Sequence, residues 1–125
     1  GHVLSYTTFA LSNLRASSYS MHQDGRITFT VTVKNTGKRA GAETVQLYIH
    51  DVKSSVDRPY KELKGFQKVS LQPGESRDVA ITIDRDALSF YDETTSSWKA
   101  EAGKFEALVG NASDNLRLRK SFTLE

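Results

Sequence analysis

The chain contains no cysteine, one methionine, one tryptophan and two prolines in 125 residues. Without cysteine there are no disulfides, thiolate metal sites or cysteine nucleophiles, while the compartment stays open. No apolar run approaches the roughly 20 residues that a membrane helix needs, and no charged-then-apolar leader opens the chain. Charge of one sign is scarce too: 17 Lys and Arg stand against 15 Asp and Glu, a formal charge of +2. So small an excess predicts no nucleic-acid partner, because neutralising phosphates takes clustered cations. A membrane partner is not expected either. The sequence has no H-E-x-x-H, no complete EF-hand loop, no phosphate-binding glycine loop and no G-x-S-x-G elbow. No metal, cofactor or catalytic residue is therefore expected. The length suits one domain, large enough for a core without metal or disulfide support. The chain opens at Gly1-His2 without an initiator Met, as a fragment or processed product would.

What is present is period-two alternation. Ile27, Phe29, Val31 and Val33 alternate with Thr28, Thr30, Thr32 and Lys34, which predicts a half-buried strand over 26–35. The same pattern predicts strands over 43–50, with Val45, Leu47 and Ile49 inward, and over 78–84 and 104–110. A last strand over 116–124 carries Lys120 in its apolar row, at a bulge or snorkelling from an edge. Gln72-Pro73-Gly74-Glu75 reads as a type II turn, with Pro presetting φ and Gly accepting φ > 0. Asp84 reads as the N-cap of one helical turn. Short strands between such turns predict an all-β sandwich of about seven strands, with a barrel as the alternative. Two stretches, 51–64 and 90–99, are long for hairpin loops.

The loop carboxylates Asp51, Asp57, Asp84, Asp86, Asp92 and Glu93 are expected as caps, turns and surface charge rather than as a catalytic pair. His2, His22 and His50 show no metal-ligand spacing. Phe29, Phe66, Phe90, Phe105 and Phe122 are expected in the core. Tyr48, Tyr60, Tyr91 and Trp98 have two readings: packing under loops or against another domain, or stacking on the rings of a polymer. Arg117, Arg119 and Lys120 read as solvated charges on a strand. Asn111-Ala112-Ser113 is a sequon, with Asn111 expected in an exposed loop as a glycosylation candidate.

Several segments resemble, in order, the last domain of glycoside hydrolase family 3 enzymes. They are Leu4-Ser5-Tyr6-Thr7-Thr8-Phe9; Val31-Thr32-Val33-Lys34-Asn35-Thr36-Gly37; Ala40-Gly41-Ala42-Glu43; and Val45-Gln46-Leu47-Tyr48. Then follow Arg58-Pro59, Lys61 to Phe66, Leu71 to Ser76, Leu88 to Asp92, Trp98, Gly103-Lys104-Phe105 and Val109-Gly110. Val3 departs from the pattern, which usually has Gly there. The resemblance covers nearly the whole chain. It implies one fibronectin type III-like β-sandwich over 1–125, a noncatalytic part of a β-glucosidase or β-xylosidase type enzyme. The catalytic carboxylates would then lie in upstream domains, which would be this domain's partners. The loop with Arg58, Tyr60 and Glu62 would lie against those domains, the two charges in ion pairs and Tyr60 in an apolar pocket. The alternative is a module for a plant cell-wall polymer, built on Tyr48, Tyr60, Tyr91 and Trp98. A secreted or periplasmic parent is implied, with a cytoplasmic one left open.

Overall fold

Where the sequence alternates, the chain forms strands whose apolar sets point into one core. The computed structural model describes residues 7–55, 58, 60–112 and 115–125. His2, Val3, the Leu4–Tyr6 part of the opening motif, Asp57, Pro59 and Ser113 lie outside the described residues. The strands are β1 (Phe9–Ala16), β2 (Ser20–Met21), β3 (Arg26–Asn35), β4 (Gly41–Asp51) and β5 (Glu62–Leu71). They continue with β6 (Ser76–Asp84), β7 (Phe90–Asp92), β8 (Ser97–Lys99), β9 (Gly103–Gly110) and β10 (Leu118–Leu124). Residues Arg85–Leu88 make a 3₁₀ turn.

One sheet orders its strands β1-β3-β6 and the other β2-β10-β9-β4-β5, while β7 and β8 form a separate hairpin. All pairings are antiparallel except that of β2 with β10. Seven strands of seven or more residues build the two faces, which accounts for the expected sandwich. The two-residue β2 and the short hairpin bring the total to ten. Val31 and Val33 of β3 meet Val45 and Leu47 of β4 and Phe105 and Ala107 of β9 in the core. Phe29 from one sheet sets its edge on Phe122 of the other at 5.4 Å, and Phe105 stacks on Phe122 at 5.7 Å. Each fully buried large apolar side chain contributes roughly 1.5–3 kcal/mol relative to exposure.

The turns are as their residues dictate. Gly74 has φ +78°, and the Glu75 N–H donates to the Gln72 carbonyl at 3.0 Å, closing the Pro73-Gly74 turn. Asp84 caps the 3₁₀ turn, its Oδ1 accepting from the Asp86 N–H at 3.0 Å.

Three expectations are corrected. The pairing of β10 with β9 runs unbroken through Lys120 opposite Ala107, so Lys120 sits at no bulge; it is half-buried in the ladder. Phe66 is 68% exposed rather than core, and Phe90 is half-buried on the β7–β8 hairpin. Phe66 follows the alternation of its own strand: Val69 and Leu71 face the core, so residue 66 falls on the other side. Leu47 pairs with Gly65 and Tyr48 with Leu63, so Lys64 is the extra residue. That insertion, a bulge, shifts the parity of the residues before Gly65 and turns Leu63 outward, onto the face of Phe66.

Gly65, on the core-facing parity of Val69 and Leu71, lies beneath the other sheet. A Cβ on Gly65 would lie 2.7 Å from Ile81 Cγ2, a branch atom with little freedom to move. Gly65→Ala is therefore expected to cost about 1–3 kcal/mol through overpacking, read as a lower denaturant midpoint. The companion change Ile81→Val removes a different methyl and is expected to leave the clash. Equal stability of Gly65→Ala and the parent sequence would show that the sheets do not press together there.

Candidate functional site

The end of β4 and the loop that follows it carry a dense polar cluster. Arg58 lies at its centre, with only 8% of its side chain exposed. Its Nη2 donates to Glu62 Oε1 at 2.9 Å and its Nε to the same oxygen at 3.2 Å. Its Nη1 lies 3.5 Å from Asp51 Oδ2 and 3.4 Å from the Leu88 carbonyl, and the guanidinium sits 5.5 Å above the Phe90 ring centroid. One side chain thus joins β4, β5, the 3₁₀ turn and β7. Lys64, the bulge residue, pairs with the other oxygen of Glu62 at 3.3 Å. Asp51 Oδ1 accepts from the Lys53 N–H at 3.2 Å, while its buried Oδ2 has no hydrogen-bond donor. Glu101 reaches back to the loop and accepts from the Ser55 N–H at 3.2 Å.

Burial pushes the Glu62 carboxyl up, but its hydrogen bond to Arg58 and the charges of Lys64 and Arg58 prevail and hold it below 4.5. The Ser55 hydrogen bond likewise holds Glu101 low. Both groups bind a proton less readily folded than unfolded. Their stabilisation is complete above pH 4.5 and is lost as pH falls through their lowered values. Melting temperature is expected to drop on acidification below that point, and Glu62→Gln is expected to flatten part of the slope. An unchanged slope in Glu62→Gln would remove this residue from the acid response.

Arg58 and Glu62 thus satisfy each other inside the domain. A charge reversal at Arg58 is therefore expected to destabilise this domain itself. Tyr60 is different: it is 60% exposed and stacks on His50 at 4.2 Å between centroids, with His50 Nδ1 2.6 Å from the Tyr60 carbonyl oxygen. Tyr48 stands on the outer face of β4; its hydroxyl donates to Gln46 Oε1 at 2.9 Å and Lys61 Nζ lies 5.7 Å from its ring centroid.

Tyr91 and Trp98 pair across the β7–β8 hairpin, edge to face at 5.5 Å and 78°. They are 48% and 65% exposed. The four candidate aromatics thus fall into two groups, and the hairpin pair is edge-to-face rather than a flat platform.

Asn111, expected in an exposed loop, is half-buried just after β9. Its Nδ2, the atom a glycan would use, donates to Glu43 Oε2 at 3.2 Å, and its Oδ1 accepts from Asn115 at 2.7 Å. Of the loop carboxylates, Asp84 caps the 3₁₀ turn and Asp92 accepts from the Thr94 N–H and hydroxyl at 3.0 and 2.6 Å. Among the described residues no group of three His, Asp or Glu side chains is placed to hold a metal ion.

Reasoning from sequence missed one hub. Asn35 closes the strand expected over 26–35 as a polar residue, yet it is fully buried. Its Nδ2 donates to the carbonyls of Arg39 and Leu71 at 2.8 and 3.1 Å. Its Oδ1 accepts from the Thr7 hydroxyl and the Gly37 N–H at 2.7 and 2.9 Å. Its main chain exchanges hydrogen bonds with the Glu75 carbonyl and the Gly74 N–H at 3.0 and 2.8 Å.

Two facing antiparallel sheets with this strand order, stapled at the loop ends, define a fibronectin-like β-sandwich domain. A family model described as a fibronectin type III-like domain matches residues 43–113, and the chain belongs to that family. It is 46% identical over 97% of its length to thermostable beta-glucosidase B of Acetivibrio thermocellus. It is 47% identical over 88% of its length to a periplasmic beta-glucosidase of Salmonella typhimurium. A solved beta-glucosidase structure from Erythrobacter marinus superposes with a TM-score of 0.90 at 38% identity, covering 99% of this chain and 16% of that one. The chain spans only 16% and 14% of the two curated relatives. It corresponds to a small, noncatalytic, fibronectin type III-like region of such hydrolases.

Proposed function

We propose that this chain is an accessory domain of a family 3 β-glucosidase-like hydrolase, docking on the catalytic domains of the same polypeptide and stabilising them. The observation that carries the reading is coverage. Nearly the whole of this chain aligns with about one sixth of each β-glucosidase relative, and its own core is complete. The rest of such an enzyme is available as a partner in cis, at the high effective concentration that covalent linkage gives. Tyr60, exposed at the rim of the loop, is the contact we assign to a pocket on that partner. Arg58 and Glu62 hold the loop that carries it. One relative is named a periplasmic enzyme, and a periplasmic or secreted parent is the corresponding reading for this chain.

The parent enzyme with and without residues 1–125 tests this reading. Removal is expected to lower its melting temperature while leaving the chemistry per folded molecule. An unchanged melting temperature would contradict it. Polymer binding draws less support, because Tyr91 and Trp98 meet edge to face rather than in one plane. The 125-residue chain is accordingly expected to stay in the supernatant of cellulose, xylan and lignin pull-downs. Retention that disappears in Trp98→Ala would replace the accessory reading with a targeting one.

A further inference from the structure

The two outer faces of the sandwich differ in chemistry. On the three-stranded sheet the outer face is polar and hydrogen-bonded to itself. Thr28 and Thr82 share a hydrogen bond of 2.7 Å, the Thr32 hydroxyl donates to Asp78 at 2.8 Å, and Arg15 pairs with Asp78 at 2.7 Å. Such a face is built for water. On the five-stranded sheet the outer face carries Leu63 and Phe66 on β5, 48% and 68% exposed. Beside them stands Tyr48 on β4, half-buried, whose cross-strand neighbour Leu108 on β9 is itself buried.

The bulge creates this surface. Residues three apart in a regular strand point to opposite faces. Because Lys64 is inserted, Leu63 pairs with Tyr48 and Phe66 with Gln46, and both project outward. β5 is also the free edge of its sheet. An exposed edge strand with two large apolar residues is an aggregation hazard unless something covers it. Aromatic and aliphatic groups ringed by polar ones are what the centre of an interface uses. Here Lys68 and Gln46 stand at the border.

We propose that the outer face of β4 and β5, centred on Leu63 and Phe66, seats the catalytic part of the same polypeptide. This rests on the accessory-domain reading and deepens it by naming the face. The occupant follows from the relatives, in which about five sixths of the chain lies outside the matched segment. A covalently joined partner of that size covers such a face without a second copy or a separate protein.

Hydroxyl-radical footprinting of the 125-residue chain and of the full-length parent, at equal radical dose, tests the assignment. Oxidation of Phe66 and Leu63 is expected to fall severalfold in the parent. Equal oxidation in the two, with Tyr60, Tyr91 or Trp98 protected, would overturn this face while docking itself stands. No protection at any of the five would bring down the docking reading with it. Protection of Phe66 in the isolated chain as its concentration rises would make a second copy the occupant and overturn the inference. As a second readout, the double substitution Leu63→Ser/Phe66→Ser is expected to lower the melting temperature of the parent and leave that of the 125-residue chain unchanged. A parent that melts as before would count against the face.

Discussion

Replacing Arg58 with methionine is expected to destabilise the domain by about 3–5 kcal/mol, the usual cost of removing one partner from a buried ion cluster. At this size the melting temperature would fall by on the order of 10 °C or more. The cause is what stays behind. Glu62 keeps Lys64 at 3.3 Å, but Asp51, with 8% of its side chain exposed, loses its neighbouring cation, and the Leu88 carbonyl loses a donor. The methionine stem still packs on Phe90, so the loss is mainly electrostatic. Converting Asp51 to Asn in the same chain should then recover part of the stability, since no carboxylate is stranded. A double-mutant cycle in chemical denaturation measures this coupling. Simple addition of the two single effects would show that Asp51 and Arg58 do not act together.

The second large effect is at Asn35. Asn35→Leu is expected to cost about 2–4 kcal/mol, because the Leu71 carbonyl, the Gly37 N–H and the Thr7 hydroxyl all lose a partner and the first of these is buried. Asn35→Asp separates the donor role from the acceptor role. It keeps the oxygen that accepts from Thr7 and Gly37, but sets a second oxygen against the carbonyls of Arg39 and Leu71. At neutral pH it is expected to be at least as damaging as leucine. As pH falls and the new carboxyl is protonated, it regains one donor and the penalty should shrink. Unfolding curves across pH give the answer, and a pH-independent deficit for Asn35→Asp would refute the donor assignment.

Strands were legible where the ladder is regular. β3 is read to its ends because Ile27, Phe29, Val31 and Val33 alternate without interruption. The Gln72–Glu75 turn and the Asp84 cap were legible because Pro, Gly and Asp enforce local geometry. Two long strands gave no clear periodicity, and both carry irregularities. In β1 the register shifts between Ser12 and Arg15, around Asn13 at φ +56°, and in β5 it shifts at Lys64. One inserted residue exchanges the faces of everything beyond it, so a period-two pattern breaks although the strand continues. Part of the 51–64 stretch, read as loop, is therefore the start of β5. The 90–99 stretch contains a hairpin too short for periodicity to register. Of the site, the residue types in the loop were legible and their pairing was not. Arg58 and Glu62 are an ordinary charged pair in sequence; burial and the approach of Asp51 come only from the fold. The end of β3 at Asn35 was visible, but not that its side chain ties β3 to the end of β5 with every hydrogen-bonding group engaged.

This sandwich, on the reading proposed above, contributes to a hydrolase by contact rather than by chemistry. The most direct measurement adds the separate 125-residue chain to the parent enzyme lacking it, and follows melting temperature and sedimentation together. A one-to-one complex is expected, with a rise in melting temperature toward that of the intact parent and no turnover by the chain alone. Two components that sediment separately and melt independently, or glucoside turnover by the chain itself, would contradict it.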